Sequence, residues 1–181
     1  MDATSRRQTR KSTRSELTVT RGGEEALAEW HRLYEETAQR DDFSGRPLAY
    51  FQRMFAELNA SGLSSCEVLL AHWEQELLAA SIYVQQGDFG WYVYGASATA
   101  ERKRYAPRLL QLEQVKLTLG AGARWYDLGG VSPTLNSAHP LAGLTRFKTT
   151  MGADVVETLG EWDYPINPLL AKAFNLYLAR R

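Results

Sequence analysis

The chain predicts an α/β fold of the α+β kind: one domain with a mixed, mainly antiparallel central sheet flanked by helices. Three observations lead there. Apolar runs at 66–72, 77–84 and 89–94 follow one another, bounded by EQE and QQGD, the pattern of a meander with tight turns. Helical spacing precedes them at 24–40 and 47–59 and returns at 105–119. The length of 181 residues with 44% hydrophobic content suits one ordinary core and is short for two.

The elements are justified in order. Residues 1–15 are polar and basic and are expected to be flexible or helical, with the domain itself over 16–181. Residues 16–21, ELTVTR, alternate as a short strand, and Gly22-Gly23 breaks it. In the first long helix Ala26, Leu27, Trp30, Tyr34 and Thr37 share a broad face, with Leu33 at its edge. The second carries Pro47 in its first turn and Tyr50, Phe51, Met54, Phe55 and Leu58 on its apolar side. After the three strands, the helix from Tyr105 to Leu119 is marked by Leu109, Leu112, Val115, Lys116 and Leu119, and Gly120 and Gly122 end it. WYDLGG at 125–130 reads as a short strand entering a glycine turn, and VSPTLNSAHPLAG as loop. Residues 144–150 read as a short helix or a loop, and 153–158 as a further strand. A turn at Pro165 and Pro168 precedes a last helix over 169–180, with Leu170, Phe174 and Leu178 on one face.

Charge and composition exclude several classes. The 21 basic and 21 acidic side chains cancel, so a basic coat for nucleic acid is absent, while a local patch is still open. The most uneven stretch is the N-terminal one, with Arg6, Arg7, Arg10, Lys11, Arg14 and Arg21 against Asp2 and Glu16; it is either a solvated tail or a surface for phosphates. Cys66 lies alone in an apolar run, which fits a core thiol in a reducing compartment. The N-terminus lacks the apolar segment of a signal peptide, and no stretch has the roughly 20 apolar residues of a membrane span, so a cytoplasmic protein is expected. His31, His72 and His139 are not spaced as metal ligands, and no metal is expected. Neither a GxSxG elbow, a Walker loop nor a GxGxxG turn occurs.

Three stretches carry candidate chemistry: WYVYGAS at 91–97 with Arg102, Lys103 and Arg104 after it, WYDLGG at 125–130, and HPLAGLTRFKTTMG at 139–152. Each sets aromatics and glycines beside charge where an element meets a loop, a common place for sites. Tyr94 is either a core aromatic or a hydroxyl that donates to a carbonyl or phosphate. Asp127 is either a carboxylate that orients an incoming amine or a partner for a local arginine. Arg146 and Lys148 flank Phe147, as solvated surface or as cations for a bound anion or developing oxyanion.

These stretches, with LYEETAQRDDF at 33–43, RYAPRLLQLEQVK at 104–116 and the long block over 139–170, resemble the second GNAT-like domain of the peptidoglycan bridge-forming aminoacyltransferases, the FemABX family. The resemblance runs from about Arg7 to about Leu170 and implies a GNAT-like fold. It implies transfer of an amino acid from aminoacyl-tRNA to an amine of a cell-wall precursor or another peptide, with no cofactor. It also implies roles. Lys148 matches a lysine that stabilises charge on the reacting carbonyl, and Phe147 an aromatic near the tRNA acceptor end. Tyr94, Asp127 and Arg102 fall in motifs lining the same region, and Arg104 and Arg146 join Arg102 as basic groups for substrate phosphates. Family members carry a further lobe before this one, so a separate first lobe is an expected partner. Two competing readings follow. A GNAT acyltransferase using acetyl-CoA would place glycines where AERKRYAPRLL has none, and a binding lobe without turnover would use the basic N-terminal segment.

Overall fold

A computed structural model of the protein describes residues 1–134, 136–160 and 164–178. Five strands form one sheet in the order β1-β2-β3-β4-β5: β1 Leu17–Gly22, β2 Ser64–Trp73, β3 Glu76–Gln86, β4 Phe89–Ser97 and β5 Trp125–Asp127. The first four pair antiparallel and β5 joins β4 in parallel, as the mixed-sheet expectation requires. The helices are α1 Ala3–Ser12, α2 Leu27–Arg40, α3 Leu48–Ala60, α4 Ala106–Gly120, α5 Ala142–Thr150 and α6 Pro168–Leu178. None of the described helices is long and apolar enough to cross a membrane.

Helices α2 and α3 cover one face of the sheet. Trp30, Leu33 and Tyr34 of α2 and Phe51 and Phe55 of α3 bury against Val68, Leu70, Ile82, Val84 and Ala96. Leu33 is fully inside rather than at the edge of the stripe, while Tyr50 stays exposed. Trp30 stacks on Tyr34 at 4.9 Å and meets Phe51 edge-on at 4.6 Å, the geometries ring quadrupoles favour.

The other face is covered by α4, with α1 beside it. Here the apolar spacing misleads. The residues α4 buries include Gln111, Gln114 and Thr118, whereas Leu119 is exposed. The reason is that the sheet presents hydroxyls. Tyr126 donates to Gln111 Oε1 at 2.7 Å, Gln114 Nε2 donates to Ser81 Oγ at 2.7 Å, and Tyr83 Oη lies 2.8 Å from Thr118 Oγ1. Buried amides are held where such partners exist.

Residues 1–15 resolve to a helix rather than a flexible tail: Asp2 caps α1 by accepting from Ser5 N–H at 2.6 Å, and Thr9 and Ser12 are buried. The strand expected at 153–158 is absent. Val155 and Val156 are exposed, and neither lies in the sheet, whose fifth strand spans only three residues. The turn expected around Pro165 gives way to α6, which starts at Pro168; residues 179–180 of the expected last helix lie outside the described residues. Leu170, Phe174 and Leu178 stay exposed, and no residue of α6 is buried.

Candidate functional site

The site starts from an irregularity in β4. Ile82 pairs with Tyr94 and Tyr83 with Tyr92, so Val93 is an extra residue that bulges from the ladder. The bulge shifts the alternation. Trp91 and Tyr94 both face α2 and α3, while Tyr92 lies opposite Tyr83, whose face is covered by α4. The Tyr92 ring folds back over Gly95, where any Cβ would collide with its hydroxyl, and burial pushes that hydroxyl up to about 12.

Beyond the bulge the sheet opens. Strand β5 pairs with β4 only through Phe89–Trp91, and the chain then turns at Gly129, whose φ of +74° lies in the left-handed region. The Asp127 carboxylate accepts the Gly129 N–H at 2.6 Å and holds this turn. The opening thus lies at the carboxyl end of a parallel strand, where ligands of mixed sheets gather.

Lys148 closes this opening from α5. Its side chain is buried, with 5% of its surface exposed, and Nζ donates to the Gly130 carbonyl at 2.6 Å. Burial pulls the ammonium below the usual lysine range, and the nearby Asp127 charge opposes that shift. An ammonium has three N–H donors, so the Gly130 bond leaves donors for a second oxygen. Phe147, the preceding residue, is half-buried beneath the Arg108 guanidinium, 5.1 Å from its ring centre. Arg146 is exposed on the same helix.

The other candidate residues spread outward. Tyr94 packs edge-on against Phe51 at 5.0 Å, on the face away from α4. Burial and then the hydrogen bond with Tyr50 push its hydroxyl up to about 12. Tyr50 in turn lies 4.6 Å beneath the Arg46 guanidinium, so Arg46, Tyr50 and Tyr94 form a second polar-aromatic group. Arg102 is exposed in the 3₁₀ turn over residues 102–104. Arg104 is engaged by the fold: it binds Glu101 at 2.9 Å and the Ser15 carbonyl at 2.8 Å, and stacks 3.8 Å over Trp73. The structure therefore brings Asp127, Phe147 and Lys148 together and sets Tyr94, Arg102 and Arg104 apart from them.

The remaining reactive side chains have structural partners. His31 Nε2 lies 2.9 Å from the Arg46 carbonyl, His72 Nε2 lies 2.8 Å from Glu29, and His139 Nδ1 accepts from Leu141 N–H. Cys66 is buried, with its thiol pushed up to about 12, chiefly by burial and further by Glu67. Among the described residues no group of three or more His, Cys, Asp or Glu could hold a metal.

Sequence reasoning passed over Arg108 and the Arg46–Tyr50 pair. Arg108 had a readable signal, since a cation in the first turn of a helix opposes the macrodipole and calls for a reason. Arg46 and Tyr50 sit four residues apart across a loop–helix boundary, and nothing local ties them to Tyr94.

The model of the FemAB family matches residues 1–71 and 56–178. The UDP-N-acetylmuramoylpentapeptide-lysine N(6)-alanyltransferase of Weissella viridescens is 32% identical over 143 residues, covering 78% of this chain and 40% of that protein. The lipid II:glycine glycyltransferase of Staphylococcus haemolyticus (strain JCSC1435) is 32% identical over 103 residues, 56% of this chain and 24% of that protein. The chain thus spans less than half the length of these relatives. Among solved structures, the crystal structure of FemX superposes with a TM-score of 0.80 at 22% identity, over 95% of this chain and 59% of FemX. The structure of AAC(6')-Iy in complex with a CoA-linked bisubstrate analogue superposes with a TM-score of 0.62 at 11% identity, over 83% of this chain and 99% of its own. The fold is GNAT-like, and the chain belongs to the FemAB family.

Proposed function

We propose that this chain is the catalytic lobe of a cytoplasmic aminoacyltransferase that moves an amino acid from aminoacyl-tRNA onto an amine of a cell-wall precursor peptide. The observation that carries the reading is the buried Lys148 ammonium at the opening between β4 and β5, with Phe147 beside it. An aminoacyl ester is already activated. The acceptor nitrogen attacks the ester carbonyl carbon, a C–N bond forms and the carbonyl oxygen becomes an oxyanion. Lys148 donates to that oxygen from a site where burial strengthens the interaction. The intermediate collapses, the bond to the ribose oxygen breaks, and that oxygen leaves with the proton given up by the amine. No step needs a covalent enzyme intermediate, a metal or a cofactor. The chemistry rests on alignment and charge. Phe147 offers a ring for the terminal adenine, and exposed Arg102 and Arg146 offer charge to phosphates.

The relatives named above act on lipid II or a UDP-linked muramoyl pentapeptide, which supports a cell-wall precursor as acceptor. A separate first lobe as partner is supported by exposed apolar side chains among the described residues of 155–178, from Leu178 at 49% to Ile166 at 94% exposed. Apolar patches of this extent mark interfaces.

A transfer assay tests the reading. Charged tRNAs and acetyl-CoA are offered separately with a UDP-linked muramoyl pentapeptide, with and without the first lobe of a FemAB protein. Label moving from tRNA to the peptide supports the proposal. Label moving only from acetyl-CoA makes the chain an acyl-CoA enzyme, and donor binding without turnover makes it a binding lobe.

A further inference from the structure

Three helix ends meet behind Phe147. Arg108 is the third residue of α4, Asp2 caps the start of α1, and Thr150 closes α5. The Asp2 N–H donates to the Thr150 carbonyl at 3.0 Å, which bonds the start of α1 to the last turn of the helix that carries Phe147 and Lys148. Arg108 lies among them, drawn electrostatically to Asp2, with its guanidinium 5.1 Å from the Phe147 ring centre.

Arg108 is costly where it stands. Its Nη1 is buried with no hydrogen-bond partner among the described residues. A buried N–H without a partner destabilises a fold, and a cation in a helix's first turn faces the positive end of the dipole. A methionine would fill the same space with neither cost. What the guanidinium supplies in return is a flat cation against the face of an aromatic ring.

We propose that Arg108 is a positioning residue that holds the Phe147 ring in place at the donor end of the site. The proposal rests on the reading of Phe147 as the aromatic that meets the acceptor end of the charged tRNA. Arg108 touches the ring rather than the reacting atoms and acts through it. With the cation in place, the Phe147 ring keeps one orientation and offers a ready face to the terminal base. Without it, the ring is free to turn, and part of the binding energy goes into ordering it.

The test is donor binding by the full chain, so it does not depend on turnover. The probe is a fluorescein-labelled acceptor-stem minihelix carrying alanine through a stable amide linkage, titrated by anisotropy. The variants are Phe147→Ala, Arg108→Met, Arg108→Lys and the double variant Arg108→Met/Phe147→Ala, each checked for native melting. Phe147→Ala is expected to raise Kd, and Arg108→Met to raise it about tenfold, the scale of a desolvated cation–ring contact. Arg108→Lys is expected to recover most of that loss, and the double variant to bind no worse than Phe147→Ala alone. A packing role would give the opposite order, with methionine serving at least as well as lysine, and that result overturns the proposal. Multiplying effects in the double variant overturn it as well. A raised Kd for Phe147→Ala beside an unchanged one for Arg108→Met overturns the Arg108 role alone. An unchanged Kd for Phe147→Ala overturns the reading of Phe147 and the Arg108 role with it.

Discussion

Lys148 donates to the carbonyl of Gly130 across the turn that ends β5, at 2.6 Å, and so places an ammonium inside the sheet opening rather than in solvent. Eighteen residues separate the two in sequence. A loop and α5 bring them together, and the positive φ of Gly129 turns the chain just before the Gly130 carbonyl that Lys148 meets.

Replacing Lys148 separates chemistry from stability. Lys148→Met is expected to lower amino-acid transfer by roughly 10²-fold or more, the scale of losing an oxyanion donor. Its melting temperature should stay level or rise, because the variant no longer buries a charge. Steady-state rates and thermal melts on the same preparation check both. Full activity in the variant removes Lys148 from the mechanism.

The pH dependence has a defined sign. Lys148 loses its proton below the ordinary lysine range, because burial penalises the charged form. Transfer is therefore expected to fall as pH rises through that lowered value, before free lysine would titrate. In the window between the lowered value and the unfolded one near 10.5, this lysine holds its proton in the unfolded chain and has lost it in the folded one. The Lys148 contribution to stability accordingly rises with pH across that window. Denaturant titrations at several pH values isolate this slope as the difference between the native chain and Lys148→Met, because Cys66, Tyr92 and Tyr94, raised by burial, act in the opposite direction in both.

Tyr94 tests which half of a tyrosine matters to the fold. Its ring lies against Phe51 and Trp30, and its hydroxyl meets Tyr50. Tyr94→Phe is expected to cost no more than about 1.5 kcal/mol, the net value of one hydrogen bond. Tyr94→Ala should cost about 3–5 kcal/mol, as other aromatic deletions from packed cores do. Urea unfolding of both variants gives the comparison, and equal losses would mean the ring is not part of the core.

Gly95 tests the fold of Tyr92 over β4. A methyl group there meets the Tyr92 hydroxyl, so Gly95→Ala should destabilise by about 1–3 kcal/mol, the range for overpacking. Adding Tyr92→Leu, which shortens the side chain, should return part of that loss. Independent, additive effects in a double-mutant cycle would show that the two residues do not touch.

Much of the fold was legible because local rules and burial agree. Strands β2, β3 and β4 are apolar runs with turn residues between them, and α2 carries a full apolar stripe. Arg146 and Lys148 on either side of Phe147 were legible as cations beside an aromatic between two glycine-bearing turns, and their roles came only with the family resemblance. Three features were not. The buried face of α4 is polar because Tyr83, Tyr126 and Ser81 lie across from it, and those partners are distant in sequence. Residues 153–158 alternate like a strand, yet alternation describes a surface and does not supply a partner edge. Tyr92 and Tyr94 read as one face by alternation, and the Val93 bulge sends them to opposite faces.

By itself the sequence determined the five strands of the sheet, the helices packed on it and the stretches where aromatics, glycines and charge collect, because side-chain period and turn residues act over a few positions. Tertiary structure decided which of those stretches meet. It set Lys148 against Gly130 and beside Asp127, placed Arg108 over Phe147, and left Arg104 engaged with Glu101 and Trp73. The physical reason is range: a bulge, a left-handed glycine and a buried charge each redirect neighbours many residues away, and that redirection exists only once the chain has closed on itself.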